Sequence, residues 1–258
     1  MTVAPVPASL LDALSLAHAS WRPILLRGLD AVMAADPAYL PALAADDYLP
    51  TQGRLFAAFA LPLAQVRYVL VGEGPYPRAD SATGVCFMDG AVGSLWSAAG
   101  LSKPVNRATS LRNFMKMLLV ADGQLHADAT SGAALAPVAA AAQQAGSGVI
   151  QTLPDLQRKM TEQGFLLLNA ALVFRHHVPP AQDARGWLPF LQVVLEALGR
   201  QEGALPQLVL WGKIAEQVKR LPVAARLPQV TAEHPYNLSF IGNNAMQALF
   251  GPMQLLRV

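Results

Sequence analysis

The feature that most constrains this chain is an apolar, β-branched run that stops at a rigid turn. Residues 66–71 (Val-Arg-Tyr-Val-Leu-Val) have the composition of a buried strand. Residues 72–77 (Gly-Glu-Gly-Pro-Tyr-Pro) follow at once, and their glycines and prolines prevent continued strand pairing. The pattern therefore predicts a strand that feeds a tight loop. In an open parallel sheet such loops lie at the carboxyl ends of the strands, where ligands bind.

Two general interpretations of this loop differ in the ligand that they predict. It is compatible with any connection between a strand and a helix, which requires no ligand. Gly72 and Gly74 also match the start of a dinucleotide-binding fingerprint, but Pro77 stands where that fingerprint needs its third glycine. We therefore do not expect a dinucleotide at this loop.

Further apolar segments along the chain have the pattern of buried strands separated by helices. The predicted strands are residues 165–169, 207–212 and about 229–232. The predicted helices are residues 110–118 with Ser110 as N-cap, 133–145, 154–163 and 186 to about 198. This alternation predicts an α/β fold with a parallel sheet, which brings residues distant in sequence to one edge.

Size and composition are those of a single large α/β domain. The 258 residues are 53% hydrophobic, which is enough to bury a core. With 14% charged residues and a net charge of +2, the chain lacks the global basic field of a strong non-specific nucleic-acid binder. We expect one domain over residues 1–258, with a helical lead-in at 1–60 and an Ala-rich surface excursion at 122–152.

The chain offers little for metal binding or for membrane insertion. Cys86 alone cannot form a disulfide within the chain, a thiolate zinc site or an iron–sulfur cluster. His176 and His177 are adjacent, so in an extended segment they point to opposite faces, and we expect them to face solvent or phosphate. No apolar run reaches the roughly 18 residues that span a bilayer. We expect no metal, no cofactor, no membrane contact and a cytoplasmic location.

The strand ends of this chain resemble the motifs of the uracil-DNA glycosylases. Residues 72–77 are similar to that family's water-activating loop, Gly-Gln-Asp-Pro-Tyr-His, and residues 84–87 (Gly-Val-Cys-Phe) to its Gly-Leu-Cys-Phe. Residues 163–169 resemble its Gln-Gly-Val-Leu-Leu-Leu-Asn, and residues 234–239 (His-Pro-Tyr-Asn-Leu-Ser) its His-Pro-Ser-Pro-Leu-Ser. The resemblance covers nearly the whole chain and implies a three-layer α/β/α fold with a central four-stranded parallel sheet.

The resemblance also implies roles in holding a base flipped out of DNA. Phe87 would stack on the base, and the amide of Asn169 would match the edge of uracil but not that of cytosine. Tyr76 would exclude the 5-methyl group of thymine. His234 would donate to the uracil oxygen on which charge grows as the glycosidic bond breaks.

Other residues would contact the DNA itself. Leu238 would fill the space that the flipped nucleotide leaves, and Ser110 and Ser239 would bind the DNA backbone. Basic side chains are candidate phosphate contacts or plain surface charges: Arg107, Lys116, Arg175, Lys213 and Lys219.

One departure from the family pattern concerns the attacking water. The family's catalytic aspartate falls on Gly74, and glycine can neither orient water nor stabilise the sugar cation. We therefore expect base release to be slower by orders of magnitude. Glu73 is a candidate to compensate, because Gly-Glu-Gly-Pro resembles the Gly-Glu-Ala-Pro loop of thermophilic-type glycosylases, which also lack that aspartate. Asp80, a few residues further on, is the other candidate. Asp80 is alternatively a turn residue that bonds its own backbone.

Three functions stay open from the sequence. The first is a uracil-DNA glycosylase of weak or altered activity, the second a non-catalytic protein that binds DNA or nucleotides, and the third a glycosylase for another damaged base. Tyr76 argues against bulky 5-substituents. The expected partner is single- or double-stranded DNA, containing uracil or damaged, and the expected state is a monomer.

Overall fold

A four-stranded sheet forms the centre of the computed structural model, which describes residues 5–258. The strands are Tyr68–Gly72 (β1), Trp96–Ser97 (β2), Gly100–Leu101 (β3), Phe165–Asn169 (β4), Gln207–Trp211 (β5) and Gln229–Ala232 (β6). The sheet has the order β4-β1-β5-β6, and β1 runs parallel to both of its neighbours. The predicted α/β fold with a central four-stranded parallel sheet is confirmed. A separate antiparallel pair is formed by β2 and β3, whose two-residue strands carry no periodicity for a sequence prediction to detect.

Helices connect these strands. Their bounds are Ala8–Asp12 (α1), Arg22–Ala35 (α2), Tyr39–Ala44 (α3), Lys103–Arg107 (α4), Thr109–Ala121 (α5), Gly132–Ala142 (α6), Leu153–Glu162 (α7), Pro180–Leu198 (α8), Lys213–Lys219 (α9) and Asn244–Phe250 (α10). A short 3₁₀ helix, Leu238–Gly242, follows β6. No helix within residues 5–258 is both long and apolar enough to cross a membrane.

The strands form where the apolar run is continuous. Every residue of β4 is buried, as are the central residues of β1 and most of β5, which is typical of strands covered on both faces. Strand β1 ends where the glycines and prolines of residues 72–77 begin. Prediction and structure agree on the bounds of β4 and β6, and β1 is displaced towards its carboxyl end.

The starts of two helices differ from the prediction. Helix α8 begins at Pro180, because proline is favoured in the first turn, and not at Gly186. Gly186 lies inside α8 for a packing reason: a Cβ there would approach the Tyr39 ring to 2.5 Å. Helix α5 begins at Thr109 with Ala108 in the N-cap position, so the prediction of Ser110 as N-cap is wrong.

The chain divides into two compact units. Of the described residues, the first unit comprises 5–89, Gly164–Leu210 and Ile214–Gln229. The second unit comprises Gly90–Gln163, Trp211–Lys213 and Val230–Val258. The single domain expected over residues 1–258 stays a prediction, and residues 1–4 of its lead-in lie outside the described residues.

The core of the first unit is aromatic. Trp187 and Phe190 on α8 pack edge to face with ring centroids 5.3 Å apart, and Phe190 also contacts Phe59. Helices α2 and α8 approach closely because Gly28 has no side chain: a Cβ there would lie 2.5 Å from the Phe190 ring. The predicted lead-in supplies α1, α2 and α3 to this core.

The second unit is built around α5. Phe114 of this helix packs against Phe250 at 5.1 Å and against Trp211 at 5.7 Å between ring centroids. The Ala-rich segment contains α6, whose buried Leu135 lies against the β2–β3 pair, since a Cβ on Gly100 would be 3.0 Å from the Leu135 Cβ. This segment therefore contributes packing to its unit.

Candidate functional site

The carboxyl ends of β1 and β4 lie side by side in the first unit. Gly72 is opposite Asn169 in the parallel register. Beyond this pair the segments that follow β1 and β4 stay together, because Ala170 N donates to Gly72 O at 2.8 Å and Ala171 N donates to Glu73 O at 3.0 Å. The loop at residues 72–77 is thus placed directly against the residues that follow β4.

Gly72 makes room for two side chains at this edge. A Cβ at position 72 would lie 2.5 Å from Cys86 Sγ and 2.9 Å from Asn169 Oδ1. Contacts that short are not tolerated, so any larger residue would displace the thiol or the amide. Burial raises the pKa of the Cys86 thiol to about 12, and the cysteine is therefore a neutral packing group.

Asn169, the last residue of β4, is largely buried. The residue is only 5% exposed. Within residues 5–258 its side-chain amide makes no hydrogen bond, and its polar atoms are not among the fully buried side-chain atoms that lack a partner. An amide in this state can offer one acceptor and one pair of donor hydrogens to a bound molecule.

Phe87, next to Cys86 in the chain, has an uncommon backbone conformation. Its φ is 69°, the left-handed region that side chains other than glycine rarely adopt, and such strain concentrates at ligand sites. Neighbouring bonds hold it: Cys86 N donates to Leu167 O at 3.0 Å, and the Thr83 hydroxyl donates to Met88 O at 3.0 Å. These bonds hold the residues on either side of Phe87.

Tyr76 reaches the same segment from the loop after β1. Its hydroxyl donates to Phe87 O over 3.4 Å. Burial raises the pKa of the Tyr76 phenol, and the nearby Cys86 and Asp89 raise it further, so the hydroxyl stays protonated. Tyr76 and Phe87 therefore adjoin in the first unit, which also contains Asn169, and the base-holding roles of these three residues stay predictions.

The predicted water-activating positions are exposed. A Cβ on Gly74 would lie 3.6 Å from Ala171 O and 3.8 Å from Ala171 Cβ, which are ordinary van der Waals contacts. Glu73 and Asp80 are both exposed, and no hydrogen bond from Asp80 to its own backbone is present in the described chain. The compensating roles of Glu73 and Asp80 stay predictions.

His234 is held at the end of β6 in the second unit. Gly212 has a φ of 65°, and a Cβ there would lie 2.8 Å from the His234 Cβ, so glycine leaves room for the histidine. Tyr236 N donates to His234 Nδ1 at 3.1 Å. Because Nδ1 accepts a hydrogen bond, the imidazole carries its proton on Nε2, which is then a neutral donor.

The segment that follows His234 is fastened by a residue that the sequence did not single out. Asn113 on α5 is fully buried, and its Nδ2 donates to Pro235 O at 2.7 Å, with longer contacts to the carbonyls of Tyr236 and Asn237 at 3.3 and 3.4 Å. A polar residue on the apolar face of a predicted helix was the available signal. We name residues 233–239 the His234 loop.

The His234 loop is also closed at its base. Asn243 Nδ2 donates to Glu233 Oε2 at 2.8 Å. Burial alone would raise the pKa of Glu233, but hydrogen bonds from Ser239 and Asn243 lower it below its ordinary value. The Ser239 hydroxyl thus has a partner within the loop, and its contact with DNA stays a prediction. Ser110 lies in the first turn of α5, where its DNA contact is likewise a prediction.

Arg175 corrects one expectation. It is neither a phosphate contact nor a surface charge, because it is buried in ion pairs with Asp183 at 2.6 Å and with Asp46 at 3.1 Å. Tyr39 donates to the same Asp183 at 2.7 Å, and His177 Nε2 lies 3.0 Å from Asp46 Oδ2. Among residues 5–258 no group of three His, Cys, Asp or Glu side chains could hold a metal ion.

These features define an α/β protein whose candidate ligand-binding residues follow the carboxyl ends of parallel strands. No family model matches the chain. The crystal structure of the wild-type UNG from Nitratifractor salsuginis is 40% identical with a TM-score of 0.88, and the comparison covers 99% of both chains. The chain belongs to the uracil-DNA glycosylase family.

Curated relatives are more distant. The uracil-DNA glycosylase of Nocardioides sp. is 29% identical over 192 residues, which are 74% of this chain and 66% of that protein, just under two thirds of its length. That of Corynebacterium glutamicum is 28% identical over 223 residues, covering 86% of this chain and 81% of the relative.

Proposed function

We propose that this protein is a uracil-DNA glycosylase, an N-glycosidase that hydrolyses the bond between uracil and deoxyribose in DNA and so begins base excision repair. One observation carries the proposal: the side-chain amide of Asn169, a residue only 5% exposed, makes no hydrogen bond within residues 5–258 and lies beside Gly72, where β1 leads into the segment of Tyr76 and Phe87. An amide that makes no hydrogen bond within the protein has its donor hydrogens and its acceptor oxygen left for a bound base.

The chemistry of the amide favours uracil. Uracil presents a carbonyl oxygen and an N–H on one edge, and the Asn169 amide supplies the complementary donor and acceptor. Cytosine reverses part of this pattern because it carries an amino group, which would leave buried polar groups unpaired. Phe87 stacks on the flipped base, and Tyr76 leaves no space for a 5-methyl group.

His234 assists departure of the base. With Nδ1 occupied by the amide of Tyr236, Nε2–H is the donor for the uracil oxygen that gains negative charge. A single preorganised donor of this kind contributes about 3 kcal/mol to the transition state. The donor is neutral, so it stabilises the developing anion through a hydrogen bond without first paying for a buried charge.

The attack of water is the weak step. Gly74 supplies no carboxylate, and the exposed Glu73 and Asp80 are the carboxylates of the surrounding loop that could orient water. We therefore propose slow base release. The proposed substrate is DNA that contains uracil, and Leu238, Ser110 and Ser239 contact the duplex. The monomeric state and the cytoplasmic location stay predictions.

The absence of a side chain at Gly74 also favours a second candidate. A protein that keeps the amide and Phe87 but lacks a water-orienting carboxylate could bind a flipped base without releasing it. This protein would recognise uracil or another small lesion in DNA and leave cleavage to another enzyme.

Single-turnover base release from single- and double-stranded uracil oligonucleotides separates these functions. Release that Asn169→Ala abolishes, and that Gln192→Ala preserves, supports the glycosylase, because Gln192 is an exposed amide on α8. Affinity for uracil DNA without release supports the binding protein. A parent protein with neither affinity nor release would contradict both.

A further inference from the structure

Two large apolar side chains of the His234 loop are unusually exposed. Tyr236 is 67% and Leu238 69% exposed, and among residues 5–257 no other large hydrophobic side chain is as accessible to solvent. Leu238 has a role in the proposed function, but Tyr236 has none. The uracil-DNA glycosylase motif has a serine at its position.

The side chain of Tyr236 is exposed, but hydrogen bonds hold its main chain in place. Its N–H bonds His234 Nδ1 at 3.1 Å, its carbonyl accepts from Asn113 Nδ2 at 3.3 Å, and the next N–H, that of Asn237, bonds His234 O at 2.9 Å. The conformational entropy of ordering this turn is therefore lost during folding and not at binding. An exposed aromatic on a fixed turn is preorganised for a partner.

The charge of α5, which holds the loop through Asn113, and of α4, which precedes α5 in the chain, indicates what that partner is. Residues 103–121, which form α4 and α5, contain Lys103, Arg107, Arg112 and Lys116 and no carboxylate. Arg112 Nε lies 3.4 Å from Asn113 Oδ1, so a guanidinium adjoins the very amide that fastens the His234 loop. The one carboxylate of the loop, Glu233, is occupied by Ser239 and Asn243. A polyanion with flat apolar faces suits this surface.

We propose that Tyr236 is a second DNA-stacking residue, which packs on a base of the duplex next to the position that Leu238 fills. This inference rests on the DNA substrate of the proposed function. Aromatic rings stack on any base because every base has a π-face, and apolar side chains stabilise base steps that have been opened. Together the two side chains hold the duplex open around the flipped nucleotide.

The test measures affinity separately from cleavage. The probe is a duplex that carries 2′-fluoro-2′-deoxyuridine, which resists hydrolysis, with 2-aminopurine next to it as a fluorescent reporter of stacking. We expect Tyr236→Ser to raise the dissociation constant roughly tenfold and to alter the reporter signal, and Tyr236→Phe to stay within about twofold of the parent. The slope of affinity against salt should not change, because no phosphate contact is lost.

Three results would overturn the proposal. The first is an unchanged affinity of Tyr236→Ser for the duplex. The second is an equal loss of affinity in Tyr236→Phe and Tyr236→Ser, which would indicate a contact through the hydroxyl. The third is a loss of affinity in Tyr236→Ser that is as large for the single strand as for the duplex. Thermal unfolding of the variants controls for folding, since an exposed side chain should leave it unaltered. Uracil release from unmodified duplex is measured in parallel. If the parent protein binds DNA without releasing uracil, the glycosylase function is refuted, but the stacking effect of Tyr236 can still be observed. If the parent releases uracil and Tyr236→Ser has no effect on affinity, only the stacking proposal is refuted.

Discussion

Replacing Gly74 by aspartate tests whether water activation limits this protein. A Cβ at that position meets Ala171 O at 3.6 Å and Ala171 Cβ at 3.8 Å, so the side chain enters without overlap. Gly74 is also absent from the glycines with positive φ, so a side chain does not strain the backbone. We expect the free energy of unfolding of Gly74→Asp to stay within about 1 kcal/mol of the parent.

The gain in rate follows from what the carboxylate supplies. A well-placed general base contributes roughly 10²–10⁴-fold to a rate. Position 74 is exposed, so solvent weakens the attraction between the new carboxylate and the developing sugar cation. We therefore expect the lower part of that range, about 10²–10³-fold faster base release.

Single-turnover release from a uracil duplex, at saturating enzyme, measures this gain. Gly74→Asn is the matched control, because it has the same shape without the charge and should gain little. Equal rates for Gly74→Asp and Gly74→Asn, in variants that fold and bind DNA as the parent does, would refute the reasoning. The water would then be oriented from elsewhere, and Glu73→Gln and Asp80→Asn would be the next variants.

Further predictions concern the residues that hold the site. Asn113→Ala should lower the free energy of unfolding by about 1–3 kcal/mol, because the buried Pro235 carbonyl loses its donor, and should slow base release on uracil duplex; a stable variant with full activity would contradict this. Arg175→Ala should lower the free energy of unfolding in urea by about 3–5 kcal/mol, because Asp183 stays buried without its arginine partner. The salt dependence of DNA binding should stay unchanged, and a smaller slope of affinity against salt would indicate that Arg175 contacts phosphate after all. Cys86 should not react with a thiol reagent at pH 8 until the protein unfolds, and rapid labelling of the native protein would contradict its burial. Since the pKa of the thiol is about 12 in the folded state and lower in the unfolded chain, the free energy of unfolding should fall as the pH rises from about 9 towards 12.

Local sequence was sufficient to predict the framework. The apolar residues 165–169 and the run before Gly72 predict strands because side-chain composition and turn chemistry act over a few residues. The candidate positions Tyr76, Phe87, Asn169 and His234 came from the resemblance to the motifs of the uracil-DNA glycosylases. The alternation of strands and helices then limits the chain to a parallel α/β sheet.

Tertiary structure alone decided how these residues are held. Asn113 lies more than a hundred residues before the His234 loop whose carbonyls it binds, and Arg175 is buried because Asp46 and Asp183 come from other segments. The left-handed φ of Phe87 likewise occurs next to Cys86, whose N–H bonds Leu167 O on the distant strand β4. Such contacts depend on which distant segments meet, and the periodicity of a single segment carries no information about its partners.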